Sequence, residues 1–325
     1  MSTTEQAQTE TVHAAPPSPI KAKQRLGDRV FSGTALAAGI IILIVLALVA
    51  TFLIIQSVPA FETDTSGNHI LRGESFLSYV WPLVFGTLWA SFMALLIAAP
   101  ISIGIALFIS HYAPRKLASL LGYIIDLLAA VPSVVFGLWG GLVLAPLLQP
   151  IYAWLSENAS WIPFFQGQVS STGKTILTAA LVLAVMVIPI MTAICREVFL
   201  QTPTLHEEAA LALGATRWEM VRMAVLPFAR GGMVSAAMLA LGRALGETMA
   251  VTMVLSPSAV ISFLVITATN PTPIPANIAL AFPEAHGTGV NTLIATGLIL
   301  FVVTFAVNAL ARWIVARRAE FSGAN

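Results

Sequence analysis

The chain is poor in charge and almost without cysteine. Asp, Glu, Lys and Arg make up 10% of its 325 residues, where soluble domains carry about 25%, and 58% of the residues are hydrophobic. Such a composition excludes a water-soluble globular domain and describes an integral membrane protein. The single cysteine, Cys195, excludes an internal disulfide and offers no metal cluster; it reads as a small apolar residue at a helix end. The five histidines, His13, His69, His111, His206 and His286, lie outside the apolar stretches and form no metal-spaced pair, which argues against a membrane-embedded enzyme. Sixteen basic against fifteen acidic residues leave a formal charge of +1, so no nucleic-acid partner is implied and the position of each charge matters more than the sum.

Six apolar stretches reach the roughly 20 residues that cross a bilayer. They run from about Thr34 to Gln56, Trp81 to Ile109, Leu117 to Leu148, Ile176 to Cys195, Gly231 to Leu255 and Thr292 to Val315. The first is too long for the core of a cleaved signal peptide and is expected to remain as an anchor. It follows a tail, residues 1–30, rich in Thr, Gln, Ala and Pro, which reads as disordered; residues 319–325 form a second short tail. Pro100 and Pro132 interrupt the second and third stretches and predict kinks. Thirteen of the sixteen Lys and Arg flank the spans on one side, and the loop from Ser256 to Asn291 has none. The positive-inside rule therefore places both termini in the cytoplasm. The apolar run Val260–Thr269 is too short to span and reads as interfacial or re-entrant.

One basic residue sits inside a span. Arg243 lies twelve residues past Gly231, roughly 18 Å along a helix axis, where a guanidinium costs about 2.5 kcal/mol or more and is by default a site for something negative. Glu247 is four residues on and would share its face, so the two are either a place for a substrate or a structural ion pair. Asp126, nine residues past Leu117, is the other ionisable group placed within a span. Gly242 and Gly246 have the spacing of a small-residue helix contact. Pro132, before Ser133, is a hinge: an ordinary kink, or a break that frees backbone N–H groups.

The cytoplasmic loop, residues 196–230, carries Glu208-Ala209-Ala210, three residues, Gly214, nine residues, then Ala224-Val225-Leu226-Pro227. It reads as a helix-turn-helix, with Gly214 as the left-handed turn residue and Pro227 ending the second helix. The spacing resembles the EAA loop of ABC importer permeases, with Ala224 where that family usually has Ile. Gly173-Lys174-Thr175, preceded by Gly167, is no phosphate loop, since five residues instead of four separate the glycines.

The run Arg243-Ala244-Leu245-Gly246-Glu247-Thr248-Met249-Ala250-Val251 resembles the signature of PstC-type permeases of phosphate ABC importers. The segment from Ile125 and Asp126 through Val131-Pro132-Ser133 to Gly140 is also similar to that family, and the likeness covers about Trp81 to Arg318. The resemblance implies an all-α membrane protein of six transmembrane helices, the type I ABC importer permease fold. It implies a translocation path through Arg243, Glu247 and, less directly, Asp126, with Glu208, Ala209, Ala210, Gly214, Leu226 and Pro227 in the coupling loop. It further implies a PstA-type permease partner, a dimeric cytoplasmic ATPase that uses ATP and Mg while this chain binds no cofactor, and an extracytoplasmic phosphate-binding protein. The location implied is the bacterial plasma membrane, within the lipid bilayer. An EAA loop alone fixes no cargo, so sulfate or molybdate stays open, as does an ion-coupled secondary transporter relaying through Asp126, Arg243 and Glu247.

Overall fold

The computed structural model describes residues 26–62 and 68–319. Of the expected tails, residues 1–25 and 320–325 lie outside the described residues, whereas residues 26–30 already belong to the first helix. Six helical stretches are long and apolar enough to cross a membrane: Leu26–Phe61, Phe76–Tyr112, Ser133–Asn158, Ile176–Leu200, Arg217–Leu245 and Thr288–Trp313. Residues up to Thr51 and residues from Phe52 onward form separate units. The first contains most of helix α1 (Leu26–Glu62), whose side chains there are exposed almost throughout. Thr34 and Thr51 donate their hydroxyls to the Phe31 and Ala47 carbonyls one turn back, so their polar groups are satisfied within an apolar helix.

The second unit begins with α2 (Phe76–Leu107), capped by the Ser75 hydroxyl, which accepts from the Ser78 N–H, and continued by a π turn over Phe108–Tyr112. Helix α3 (Arg115–Ala129) follows. Its backbone stops at Ala130, Val131 turns, and Pro132 caps a new helix, α4 (Ser133–Trp139). A π turn over Gly140–Leu144 leads into α5 (Ala145–Asn158). This corrects the expected third span: Leu117–Leu148 is not one kinked helix but two helices with a complete break at Pro132, and the crossing runs from Ser133 to Asn158. The physical reason is that Pro132 removes a backbone donor and biases Val131 away from helical geometry. Helix α3 carries an exposed apolar face of Leu117, Leu120, Tyr123, Ile124, Leu127 and Leu128.

Helix α6 (Ile176–Leu200) is the centre of the unit. In its most apolar window 67% of the residues are buried, against 39% or less for the other spans. It packs on α2 through small residues, Ala90, Ala94 and Ala98 on one helix and Ala179, Ala180 and Ala184 on the other, all in one buried cluster. Small side chains let backbones approach closely, which matters in a bilayer, where apolar side chains gain little by leaving lipid. Ser102 adds a hydrogen bond to the Ile188 carbonyl at 3.3 Å. Around α6 lie α7 (Thr204–Ala212), α8 (Arg217–Met220), α9 (Leu226–Leu245), α10 (Met249–Val254), α11 (Ile274–Ala281) and α12 (Thr288–Ala319).

Between α10 and α11 the chain is extended and deeply inserted. Strands β1 (Pro257–Ser258) and β2 (Asn270–Pro271) pair in parallel, and every residue from Asn270 to Ala276 is buried. The expected re-entrant run Val260–Thr269 contains no helix; the helix is α11, entered through Pro273 and Pro275. Asn270 holds the loop. Its amide nitrogen lies within reach of the Lys174, Ser256 and Ala268 carbonyls at 3.1–3.4 Å, and its side-chain oxygen accepts the Ile176 N–H at 2.9 Å. Thr272 bonds the Ser258 backbone both as donor and as acceptor, and the Thr87 hydroxyl accepts the Ile274 N–H. Gly86 gives the loop room on α2, since a Cβ there would stand 2.7 Å from the Thr272 carbonyl oxygen.

Asn270→Ala strands a buried N–H and several carbonyls, each costing about 1–3 kcal/mol. The variant is expected to unfold several degrees lower in detergent and to be cleaved faster within residues 256–273. An unchanged thermal midpoint would show that other contacts hold the loop.

Candidate functional site

Two groups of residues make up the site: an elbow on the surface and a cavity among the spans. The elbow is built from α7 and α8. After Ala212 the chain turns at Gly214, whose φ of +84° lies in the left-handed region that favours glycine. The Ala215 N–H then bonds back to the Ala210 carbonyl at 3.2 Å. Thr216 starts α8 with a capping box, its hydroxyl accepting the Glu219 N–H while Glu219 accepts the Thr216 N–H. Pro227 does not end this second helix, as the sequence suggested. A π turn over Val221–Val225 precedes it, and the helix runs on through α9; the wider turn relieves the clash that a proline ring makes with the preceding carbonyls. Glu208 and Ala209 are exposed, Ala210 packs against the core, and Leu226 is half-buried. Leu205, Leu213 and Trp218 form an apolar exposed edge, with Leu213 at 90% exposure.

The elbow is tied to α2 through Glu207, not Glu208. Glu207 Oε1 lies 3.4 Å from His111 Nε2, and the other ring nitrogen of His111 is 2.7 Å from the Ser110 hydroxyl. No spacing rule joins positions 96 residues apart, so the sequence held no signal for this pair.

In the fifth span the expected continuous helix to Leu255 is overturned. Helix α9 ends at Leu245, Gly246 caps it, and α10 begins at Met249. Glu247 is buried, at 9% exposure, and its Oε1 accepts the Ala250 N–H at 3.0 Å. The carboxylate thus takes a backbone donor three residues on, as an N-cap side chain does. Arg243 and Glu247 therefore neither share a helix face nor form a salt bridge. Arg243 instead lines a cavity of about 860 Å³ among α6, α9 and α12, together with Ser235, Gly242, Asn308 and Arg312.

Asp126 belongs elsewhere. It is exposed on α3, outside the crossing helices, and lines a second cavity of about 610 Å³ with Arg115, Arg196, Ser110 and Tyr123. The break at Pro132 is what removes it from the depth of Arg243. Among the described residues no group of three His, Cys, Asp or Glu is placed to hold a metal ion.

The glycine contact expected at Gly242 and Gly246 is also displaced. A Cβ on Gly242 meets nothing within 4 Å, and one on Gly246 meets only its own helix, the Gly242 carbonyl at 3.6 Å. The close contact within this chain is made by Gly137 and Gly141, where a Cβ would stand 2.8 Å from Ala250 Cα and 2.8 Å from the Met253 carbonyl oxygen. Alpha-carbon and carbonyl atoms do not yield as side chains do. Gly141→Ala is expected to destabilise the protein by about 1–3 kcal/mol, whereas Gly242→Ala leaves the thermal midpoint unchanged within about 0.5 kcal/mol; equal midpoints for the two would contradict this packing.

The chain matches the family described as binding-protein-dependent transport system inner membrane component over residues 98–320. It is 48% identical over 299 residues to the phosphate transport system permease protein PstC 2 of Mycobacterium tuberculosis, covering 89% of this chain and 91% of that protein. It is 39% identical over 308 residues to PstC of Mesorhizobium japonicum, covering 92% and 93%. Among solved structures, that of a bacterial ABC transporter involved in the import of the acidic polysaccharide alginate shares the fold, with a TM-score of 0.59 at 16% identity, over 90% of this chain and 99% of that one. Six apolar spans, a glycine-hinged elbow at the spacing of an EAA loop and identity along nearly its whole length place this chain in the binding-protein-dependent transport permeases, in the PstC family.

Proposed function

We propose that the chain is the transmembrane subunit of an ATP-driven importer of inorganic phosphate, and that it forms half of the translocation pathway. The observation that carries this reading is the 48% identity, along 89% of this chain and 91% of that protein, to a phosphate transport permease. The position of Arg243 supports it, because a guanidinium without a carboxylate partner on the wall of a cavity lined by crossing helices attracts an anion. Sulfate or molybdate finds no such support among the relatives. The partners are a PstA-type permease, a dimeric cytoplasmic ATPase seated against the Leu205, Leu213 and Trp218 edge of the elbow, and an extracytoplasmic phosphate-binding protein. ATP and Mg act on the ATPase; this chain supplies the conduit in the bacterial plasma membrane, with both termini cytoplasmic.

In this reading ATP-driven closure of the ATPase halves moves the elbow, and the elbow moves the spans. Two links carry that motion. Arg217–Leu245 runs without a stop from the elbow to the Arg243 cavity, and His111–Glu207 couples the elbow to the end of α2.

Phosphate uptake by a deletion strain carrying the gene, with arsenate and sulfate as competitors, tests the cargo directly; arsenate but not sulfate is expected to compete. Arg243→Gln is expected to abolish uptake while the protein still inserts. Normal uptake by that variant would remove Arg243 from the path.

Gly214→Val forces a β-branched residue into positive φ, costing about 1–2 kcal/mol locally, although no atom lies within 4 Å of the new Cβ. Uptake and co-purification of the ATPase are expected to fall, and Gly214→Asn, which tolerates this conformation better, to recover part of both. Unimpaired coupling in the valine variant would separate the elbow from energy transfer.

With Cys195 replaced, single cysteines at Ser66 and Thr288 are expected to react with an impermeant reagent from outside, and one at Ser322 only in opened cells. Labelling of Ser322 in intact cells would reverse the assigned orientation.

A further inference from the structure

The cavity that holds Arg243 contains a second cation that the sequence places only as a flanking charge. Arg312, on α12, lines it too, and no Asp or Glu does. Neither guanidinium has a carboxylate partner among the described residues. Both guanidiniums are exposed on the cavity wall, and two like charges lining one cavity raise the local concentration of anions there.

The polar groups beside Arg312 are arranged for a particular kind of anion. Asn308 is one turn before it on α12 and shares its face; its amide supplies further donors. Ser235, on α9, gives its hydroxyl hydrogen to the Gly231 carbonyl at 3.0 Å. With its hydrogen on that carbonyl, the hydroxyl turns its lone pairs toward the cavity. Consecutive spans cross in opposite directions, so the last turns of α12 flank the first half of α9. Asn308 and Arg312 thus lie at the Ser235 end of the cavity. Arg243 is eight residues further along α9, about 12 Å along its axis.

We propose that Arg312, Asn308 and Ser235 form a second station in this cavity, specific for a tetrahedral oxyanion that keeps a proton. Arg312 and Asn308 donate to its unprotonated oxygens, and Ser235 accepts from its hydroxyl. Hydrogen phosphate satisfies all three groups, whereas sulfate has no proton to give and leaves the Ser235 lone pairs facing an anionic oxygen. Glu247 takes no part, since its carboxylate is spent on the Ala250 N–H and does not line the cavity. The station rests on the phosphate reading of Arg243 and extends it: an anion leaving Arg243 reaches Arg312 next, so the path has two sites rather than one. Two weaker sites in series let an ion enter and leave where one strong site would retain it.

The test uses the complete importer in inside-out vesicles, with Cys195→Ala and Ala311→Cys. Ala311 lines the cavity beside Arg312, and its cysteine is modified with the neutral reagent N-ethylmaleimide while inorganic phosphate or sulfate is titrated. Phosphate is expected to slow the modification at concentrations about tenfold or more below those at which sulfate does. Arg312→Gln is expected to raise the protecting phosphate concentration by about tenfold to a hundredfold, the size of a lost charged hydrogen bond, and Arg312→Lys to recover part of it. Ser235→Ala is expected to keep protection by phosphate but to bring sulfate within about threefold of it. Co-purification of the ATPase with each variant checks assembly, and the lysine variant serves where the glutamine variant fails to assemble.

Unchanged phosphate protection in Arg312→Gln overturns the station, and an unchanged phosphate-to-sulfate ratio in Ser235→Ala overturns its selectivity. Loss of uptake in Arg243→Gln alongside normal Arg312→Gln removes the second station and leaves the phosphate reading standing. Normal uptake in both variants removes Arg243 and Arg312 alike from the path, station included, while the uptake itself keeps the phosphate cargo.

Discussion

The hydrogen bond from the Ala250 N–H to the Glu247 carboxylate decides how the fifth span is built. In a continuous helix the Ala250 N–H would bond to the Gly246 carbonyl, and Arg243 and Glu247 would stack on one face. The carboxylate takes that donor instead, the helix ends at Leu245, and α10 starts as a separate short element. A backbone break among crossing helices is tolerated only where protein groups replace the lost hydrogen bonds. Here a side chain does so. The consequences reach in two directions. Arg243, freed of its neighbour, faces the cavity, and α10 is delivered against Gly137 and Gly141 of the third span.

The third span is broken by a different device with a related effect. Pro132 ends α3 chemically, by removing a donor and restricting Val131, and the crossing then begins at Ser133. Both breaks produce short helices, α4 and α10, and these two pack on each other through the glycine face. Neither could pack so closely if its parent span ran on as a straight helix. The inserted loop with Asn270 at its centre closes the same region from the other end, being anchored to the start of α6 through the Ile176 N–H. The centre of the unit thus contains one long helix, α6, flanked by spans that are interrupted at Pro132 and at Gly246.

The hydropathy and charge pattern made the spans legible, because each depends on a property that is summed over twenty residues. Four of the six appear close to the expected positions, and the elbow was legible because glycine at a fixed offset has one main conformational use. What failed were inferences from helical periodicity across a break. Arg243 with Glu247, Gly242 with Gly246, and Asp126 at the depth of Arg243 each assumed that residues three or four apart share a face or that rise accumulates without interruption. One carboxylate and one proline void those assumptions: Pro132 signalled a kink or a break without deciding between them, and Glu247 gave no warning, since a glutamate is ordinary in an intact helix. Contacts between distant positions, such as His111 with Glu207, Asn270 with Ile176, and Arg243 with Arg312 in one cavity, depend on tertiary packing and leave no periodic trace.

The placement of charge then separates the two ends of the fifth span by function. At the elbow two acidic groups are engaged: Glu219 closes on Thr216 and Glu207 reaches His111. Such contacts hold a shape and transmit its movement, since displacing the elbow pulls on partners that are already satisfied. In the cavity the reverse holds, with Arg243 and Arg312 facing open space and no carboxylate opposite. Both guanidiniums are exposed there, and a structural role would be served better by a pair. Because α8, its π turn and α9 form one continuous helical rod from the capped elbow to the open cavity, a rotation imposed on the satisfied end re-aims the unsatisfied one. The π turn before Pro227 is the weakest point of that rod, where the bonding pattern already departs from the regular helix, and it is therefore the place where the rod bends rather than turns.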